Sequence, residues 1–178
     1  FQGENIAGYG FPRRFHIEAA LDRTFDGAEV LIDSGTMDPV IRPEYPVQAV
    51  TAGLSARYLR LRVLQHWRRG DGRYLTALAE IMVLSGRRNV AIGAVVEAES
   101  FTSLPDWSIE NLVDGQTDLG LPIDPESSAS NGFLSTSQRI PKAEKWVQLE
   151  LTRPARIEEV RIIPAEPFDA PSQHGHGF

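Results

Sequence analysis

Apolar and polar residues alternate with a period of two along several short runs of this chain. From Arg14 to Ala19, Phe15, Ile17 and Ala19 share one face; from Arg57 to Val63, Leu59, Leu61 and Val63 oppose Tyr58, Arg60 and Arg62. Such alternation marks strands with one face buried. Trp146 to Leu151 repeats it with Val147, Leu149 and Leu151 inward, and Val30 with Ile32, Ala79 with Ile81 and Val83, and Ile157 to Ile163 add further strand-like runs. Helical periodicity is nearly absent. Only Asp106 to Leu112 suggests a helical turn, capped by Asp106 or Ser108. Pro39, Pro43 and Pro46 predict a loop over 35–55, and 127–137 reads as a second polar loop. Short strands separated by segments rich in Gly, Pro, Asp and Ser predict an all-β fold, an antiparallel β-sandwich.

Composition narrows the picture. At 178 residues the chain is one domain, or two halves of neighbouring ones, large enough to fold without a metal or disulfide staple. Zero cysteines exclude disulfides, thiolate metal sites and a cysteine nucleophile. A net charge of −6 argues against a nucleic-acid backbone or an anionic membrane as partner, and no apolar run reaches the length of a membrane span. The acidity is uneven: residues 1–88 carry +2 and residues 89–178 carry −8. Most basic residues are arginine, which suits bidentate contacts to a hydroxylated or carboxylated ligand as well as ion pairs on a solvated face. Phe1-Gln2-Gly3 reads as the remnant of a protease-cleavage tag.

Gly8-Tyr9-Gly10-Phe11 near the start is matched by Gly175-His176-Gly177-Phe178 at the end, 167 residues later. That offset is one domain length. It predicts a parent with tandem homologous domains, cut in the same loop of two successive copies. The alternative is coincidence between two glycine-rich loops.

The order of the remaining motifs carries a family resemblance. From Asn89, the segments Asn89-Val90-Ala91-Ile92-Gly93, Glu110-Asn111-Leu112-Val113-Asp114-Gly115, Trp146-Val147-Gln148-Leu149-Glu150-Leu151 and Ile157-Glu158-Glu159-Val160-Arg161-Ile162 resemble the first half of a discoidin, or coagulation-factor 5/8 type C, domain. Gly10-Phe11-Pro12-Arg13-Arg14-Phe15-His16-Ile17-Glu18, Ala56-Arg57-Tyr58-Leu59-Arg60-Leu61 and Ala77-Leu78-Ala79-Glu80-Ile81-Met82-Val83 resemble its closing strands. The halves are thus swapped, with residues 4–86 as the C-terminal half of one repeat and residues 89–178 as the N-terminal half of the next. The resemblance implies a galactose-binding-like jelly roll, circularly permuted or domain-swapped into a homodimer. It also implies a module of an exported bacterial multidomain protein, extracellular or periplasmic, with neighbouring domains as partners.

Many relatives in that family are non-catalytic carbohydrate-binding modules, so aromatic rings in loops become candidate platforms for a polysaccharide or other glycan. A pyranose packs its apolar face on an aromatic ring while polar side chains fix its hydroxyls. Trp107 is the first candidate, with a rim or core role as the alternative. The segment from His66 to Tyr74 is the second: His66, Trp67, Arg68, Arg69 and Tyr74 gather aromatic and cationic groups between two strands. Alternation carried on from Val63 turns Trp67 inward, toward a structural role. Asn131, in Asn131-Gly132-Phe133, is the third, although that tripeptide also reads as a turn. Arg69-Gly70-Asp71 matches integrin ligands without any other adhesion signal. The resemblance further implies a structural Ca2+ held by Asp114, Thr117 and Glu80, with the threonine closer to the aspartate than in the family pattern.

Competing functions remain. No Gly-x-Ser-x-Gly, His-Glu-x-x-His or Gly-x-x-x-x-Gly-Lys motif occurs, His174 and His176 sit at the chain end, and carboxylate spacing selects no glycosidase pair. The reading is therefore not an enzyme, with a polysaccharide lyase as the lesser alternative and a spacer or protein-interaction domain as the stronger one.

Overall fold

A computed structural model of the chain describes residues 8–35, 46–105, 107–116 and 131–165. The fold is essentially all-β, in antiparallel sheets arranged like a sandwich. Strands β1 (Arg14–Ala20), β2 (Glu29–Asp33) and β3 (Val47–Gln65) precede four short ones: β4 (Trp67–Arg68), β5 (Tyr74–Leu75), β6 (Ala77–Leu78) and β7 (Glu80–Ser85). Then come β8 (Arg88–Asn89), β9 (Val95–Ala98), a 3-10 turn at Glu110–Val113, β10 (Phe133–Leu134) and β11 (Lys145–Ile163).

The alternating runs become strands as the pattern predicts. Phe15, Ile17 and Ala19 of β1 are buried, as are Leu59, Leu61 and Val63 of β3 and Val147, Leu149 and Leu151 of β11. The loop predicted over 35–55 needs correction, because β3 begins at Val47. Residues 47–56 have little alternation of their own. They are extended because 155–162 of β11 lies beside them and pairs with their backbone.

Strands β3 and β11, each 19 residues long, form an antiparallel ribbon that joins the sheet's two halves. The C-terminal half of β3 and N-terminal half of β11 lie with β1, β2 and β9. The other halves lie with β7 and β8. Register slips after Glu150 and after Ile157 separate the two. Both halves send apolar side chains into a single core, where Ile17, Leu61 and Leu149 of one join Ile81, Val83, Val160 and Ile162 of the other. Bulges that redirect a strand are the usual way a sandwich turns its corners. Residues from both halves of the sequence thus share one core.

Outside the first half-sheet, the arginines form cross-strand pairs. Arg57 donates to Glu150 at 2.6 Å, and Arg62 pairs with Glu18 at 3.5 Å. Arg60 donates twice to Gln148 Oε1 beneath the Phe25 ring, 3.9 Å from its centroid. The predicted helical turn is a 3-10 turn in which Ser108 Oγ accepts from the Glu110 amide at 3.1 Å; Asp106 lies outside the described residues.

The Gly8–Phe11 motif has physical content. Gly10, at φ +69, leaves no room for a Cβ, which would lie 2.5 Å from that of Ala77, and its carbonyl accepts from the Ala77 amide at 2.8 Å. Phe11 is fully buried against Phe15. The matching Gly175–Phe178 lies outside the described residues.

Gly132, at φ +100, would place a Cβ 2.1 Å from the Leu78 carbonyl oxygen, and rigid backbone bars relief. Gly132→Ala is expected to cost about 3 kcal/mol or more. Gly27, at φ +72 with open space around it, should cost only about 1–2 kcal/mol when replaced by Ala. Urea unfolding of the two variants checks this, and equal losses would contradict it.

Candidate functional site

The short strands build one end of the molecule. The β4–β5 hairpin pairs Trp67 with Leu75 and Arg68 with Tyr74. Its turn is closed by backbone bonds from the Arg69 amide to the Arg73 carbonyl (2.7 Å) and from the Gly72 amide to the Arg69 carbonyl (2.9 Å). Across the tip Arg69 and Asp71 bond to each other, and Asp71 also accepts from the Arg73 amide at 3.1 Å. These donors, Arg69 first, hold the Asp71 carboxyl down to about 2. The Arg69-Gly70-Asp71 tripeptide is therefore internally paired, its two charges directed at each other.

Behind the hairpin, Trp67 and Tyr9 pack against a small second core of Leu75, Ala77, Trp107 and Ala165. The Tyr9 ring lies 5.0 Å from Trp67 and 6.2 Å from Trp107. Trp107 is only 7% exposed and supports this group from inside, whereas Tyr9, Trp67 and Tyr74 are half-buried at its rim. Arg68 and Arg73 of the hairpin are exposed, and Arg69 hydrogen-bonds to the Tyr9 side chain.

His66 is 1% exposed and works as a pin. Nδ1 contacts Thr76 Oγ1 at 2.7 Å and Nε2 contacts the Ala143 carbonyl at 3.0 Å. Since a carbonyl only accepts, Nε2 carries the proton and Nδ1 accepts from the Thr76 hydroxyl. Burial, with Lys145 nearby, depresses the histidine below its ordinary value. Asn131 is buried as well, next to Gly132, which bridges to Trp107. Of the sequence candidates at this end, the structure therefore carries Trp67, Arg68, Arg69 and Tyr74 on the hairpin, with Trp67 against Tyr9, and buries His66, Trp107 and Asn131. Tyr9 joins the rim unannounced by strand alternation; its glycine-rich motif was the available signal.

A second locus lies at the start of β7, just after β6. Glu80, at 0% exposure, accepts from the Gly115 amide through Oε1 at 3.1 Å, while its Oε2 is buried without a donor. Burial foremost, then the neighbouring Asp114 carboxylate, pushes Glu80 up to about 9. Asp114 accepts from the Gln116 amide at 2.7 Å, and the Gln116 Oε1 is another buried acceptor without a donor. Thr117 lies outside the described residues, among which no group of three or more His, Asp or Glu side chains is placed to hold a metal. Glu80 and Asp114 meet side chain to side chain, an arrangement in which two carboxyls share a proton or take a hard cation in its place, and Gln116 Oε1 in the following turn is a buried acceptor without a donor. Gln116 has no sequence signal beyond its place in the Asp-Gly turn.

One nucleophile–amine contact also occurs. Lys145 Nζ bonds to Ser100 Oγ and lies 3.0 Å from Thr136 Oγ1. It pairs with Glu99 at 2.7 Å. Every contact it makes is that of an ammonium donor, whereas activating a serine requires a base.

His66 makes stability pH-dependent. Unfolded, it protonates near 6.5; folded, it keeps its neutral form to lower pH. Its contribution is complete above pH 6.5 and drains away as pH falls below that value, because only the unfolded chain then takes up the proton. Chemical denaturation from pH 8 to pH 5 should show this fall, and His66→Gln, though less stable, should lose that part of the slope. An unchanged slope in the variant would contradict the assignment.

No family model matches the sequence, and no curated protein or solved structure matches it either.

Proposed function

We propose that this chain is a non-catalytic carbohydrate-binding module, a galactose-binding-like jelly roll of the discoidin type from an exported multidomain protein. The observation that carries this reading is the half-buried Tyr9–Trp67 ring pair, with Arg69 against Tyr9. Adjacent rings offer a surface for the apolar face of a pyranose, and forked guanidinium donors suit hydroxyls or a uronic acid carboxylate. Trp107 is the support of this platform rather than its surface. In this reading Glu80, Asp114 and Gln116, with Thr117 as the resemblance implies, would hold Ca2+, which supplies the positive charge that the buried acceptors lack.

The burial of Trp107, His66 and Asn131 favours a second reading, a spacer or protein-docking domain that binds no sugar. Neighbouring domains of the parent, or a swapped second copy of the chain, are then its partners.

Isothermal titration with neutral and uronic oligosaccharides separates the two. Trp67→Ala should weaken binding roughly tenfold or more, as loss of a central aromatic contact does. Trp146→Ala, on the outer sheet face beside Arg60, should leave affinity unchanged. No binding to any polysaccharide tested would favour the spacer. For the cation, Ca2+ should raise the unfolding temperature of the natural sequence and leave that of Glu80→Gln unmoved; an equal rise in both would place the ion elsewhere.

A further inference from the structure

The β4–β5 hairpin concentrates positive charge on an acidic chain. Residues 66–75 carry Arg68, Arg69 and Arg73 against a single carboxylate, that of Asp71, whereas the whole chain carries −6. A second segment adds to the imbalance. Tyr74 and Gln138 exchange backbone hydrogen bonds at 2.8 Å, and the His66 amide donates to the Pro141 carbonyl at 2.9 Å, so residues 138–142 run beside the hairpin. They bring Arg139 and Lys142, both exposed, and no acid. Five cations and one carboxylate therefore lie in these two segments, a field that draws an anionic ligand to this end and away from the acidic remainder.

Arg69 is where that charge meets the aromatic platform. Alternate side chains of a hairpin share a face, so Arg69 lies on the face of Trp67, whose ring is 5.0 Å from that of Tyr9. Its guanidinium hydrogen-bonds to the Tyr9 side chain and, across the tip, to Asp71. The two oxygens of Asp71 have separate tasks: Oδ1 accepts from the Arg73 amide at 3.1 Å and closes the turn, while Oδ2 occupies the guanidinium. Both side chains of the Arg69–Asp71 pair are about two-fifths exposed, at 40% and 44%, so water weakens the pair and a ligand can reach it. A carboxylate is thus already seated at the edge of the platform, on the guanidinium that touches Tyr9.

We propose that Arg69 makes the platform selective for acidic glycans, its guanidinium taking the carboxylate of a uronic acid, and that Asp71 is an internal competitor which this ligand displaces. The inference rests on the glycan site proposed above and names the class of sugar that site takes. A hydroxyl does not replace a carboxylate in a charge-assisted bond, so a neutral sugar leaves the Arg69–Asp71 pair in place. A uronate exchanges one charged acceptor for another and gains the attraction of the surrounding cations.

Isothermal titration of the whole chain with oligogalacturonate and with its methyl ester, the same sugar without the charge, tests this. The acid should bind about fivefold or more tighter than the ester, as a hydrogen bond to a charged group implies, and only the acid should weaken as salt is added. Arg69→Gln should bring the acid down to the level of the ester. Asp71→Asn keeps an oxygen for the Arg73 amide while removing the competing charge. It should tighten the acid by up to about fivefold, the worth of an exposed ion pair, and leave the ester unchanged. Equal affinity for acid and ester, or a loss on Arg69→Gln common to both, would overturn the selectivity and leave the glycan site standing. An acid affinity unmoved by Asp71→Asn would overturn the competitor role. Binding of neither sugar would overturn the site and its selectivity together.

Discussion

The backbone pairing of β3 with β11 is the constraint on which the molecule depends. Each strand is 19 residues long, and each belongs to both halves of the sandwich-like sheet. A ladder of this length has few alternative registers, because a slip of one residue would turn Leu59, Leu61, Val147 and Leu149 out of the core. The slips after Glu150 and Ile157 let the ribbon bend without losing its pairing, so one pair of strands organises both sides of a single core. The peripheral strands hang from this frame. β1 and β9 extend one half and β7 the other, and the short strands β4, β5, β6 and β10 form two small sheets of their own.

Buried polar groups divide the molecule into satisfied and unsatisfied parts. His66 and Lys145 are almost wholly enclosed, yet every donor and acceptor they present has a partner on another segment, so they pin loops. Glu80 differs. An acceptor left buried without a donor costs more than a made hydrogen bond returns, and folded chains keep few of them. Glu80 Oε2 and Gln116 Oε1 are buried acceptors of this kind, whereas the unpartnered atom on the outer sheet face, Arg57 Nε, is a donor. The ion pairs of that face, Arg57 with Glu150 and Arg62 with Glu18, lie near solvent and contribute little each.

Legibility in the sequence followed alternation. The strands around Phe15, Leu61 and Leu149 were readable because one face of each is buried, and the inward turn of Trp67 followed from extending the β3 pattern past Val63. The strand over 47–56 was not, since Gln48, Val50 and Ala52 are exposed and only pairing with β11 extends it. His66 looked like a binding residue because its partners, Thr76 and Ala143, come from a turn and a distant loop that no local pattern brings together. Trp107 stood in a loop by sequence and is enclosed by tertiary packing, which converts a candidate contact into a support. Glu80 and Asp114 were singled out through resemblance alone, and what the structure adds is that the two carboxyls meet and that Glu80 is buried.

The proposed glycan site lies at the hairpin end, on Tyr9 and Trp67. Mapping amide and indole NMR shifts of the 15N-labelled chain during titration with a uronic oligosaccharide in CaCl2 tests it most directly. Shifts concentrated on the Trp67 indole, Tyr9 and residues 68–74, with smaller ones reaching Trp107, are the predicted result. Shifts centred on Trp146 and the outer arginines, or none at saturating oligosaccharide, would contradict it.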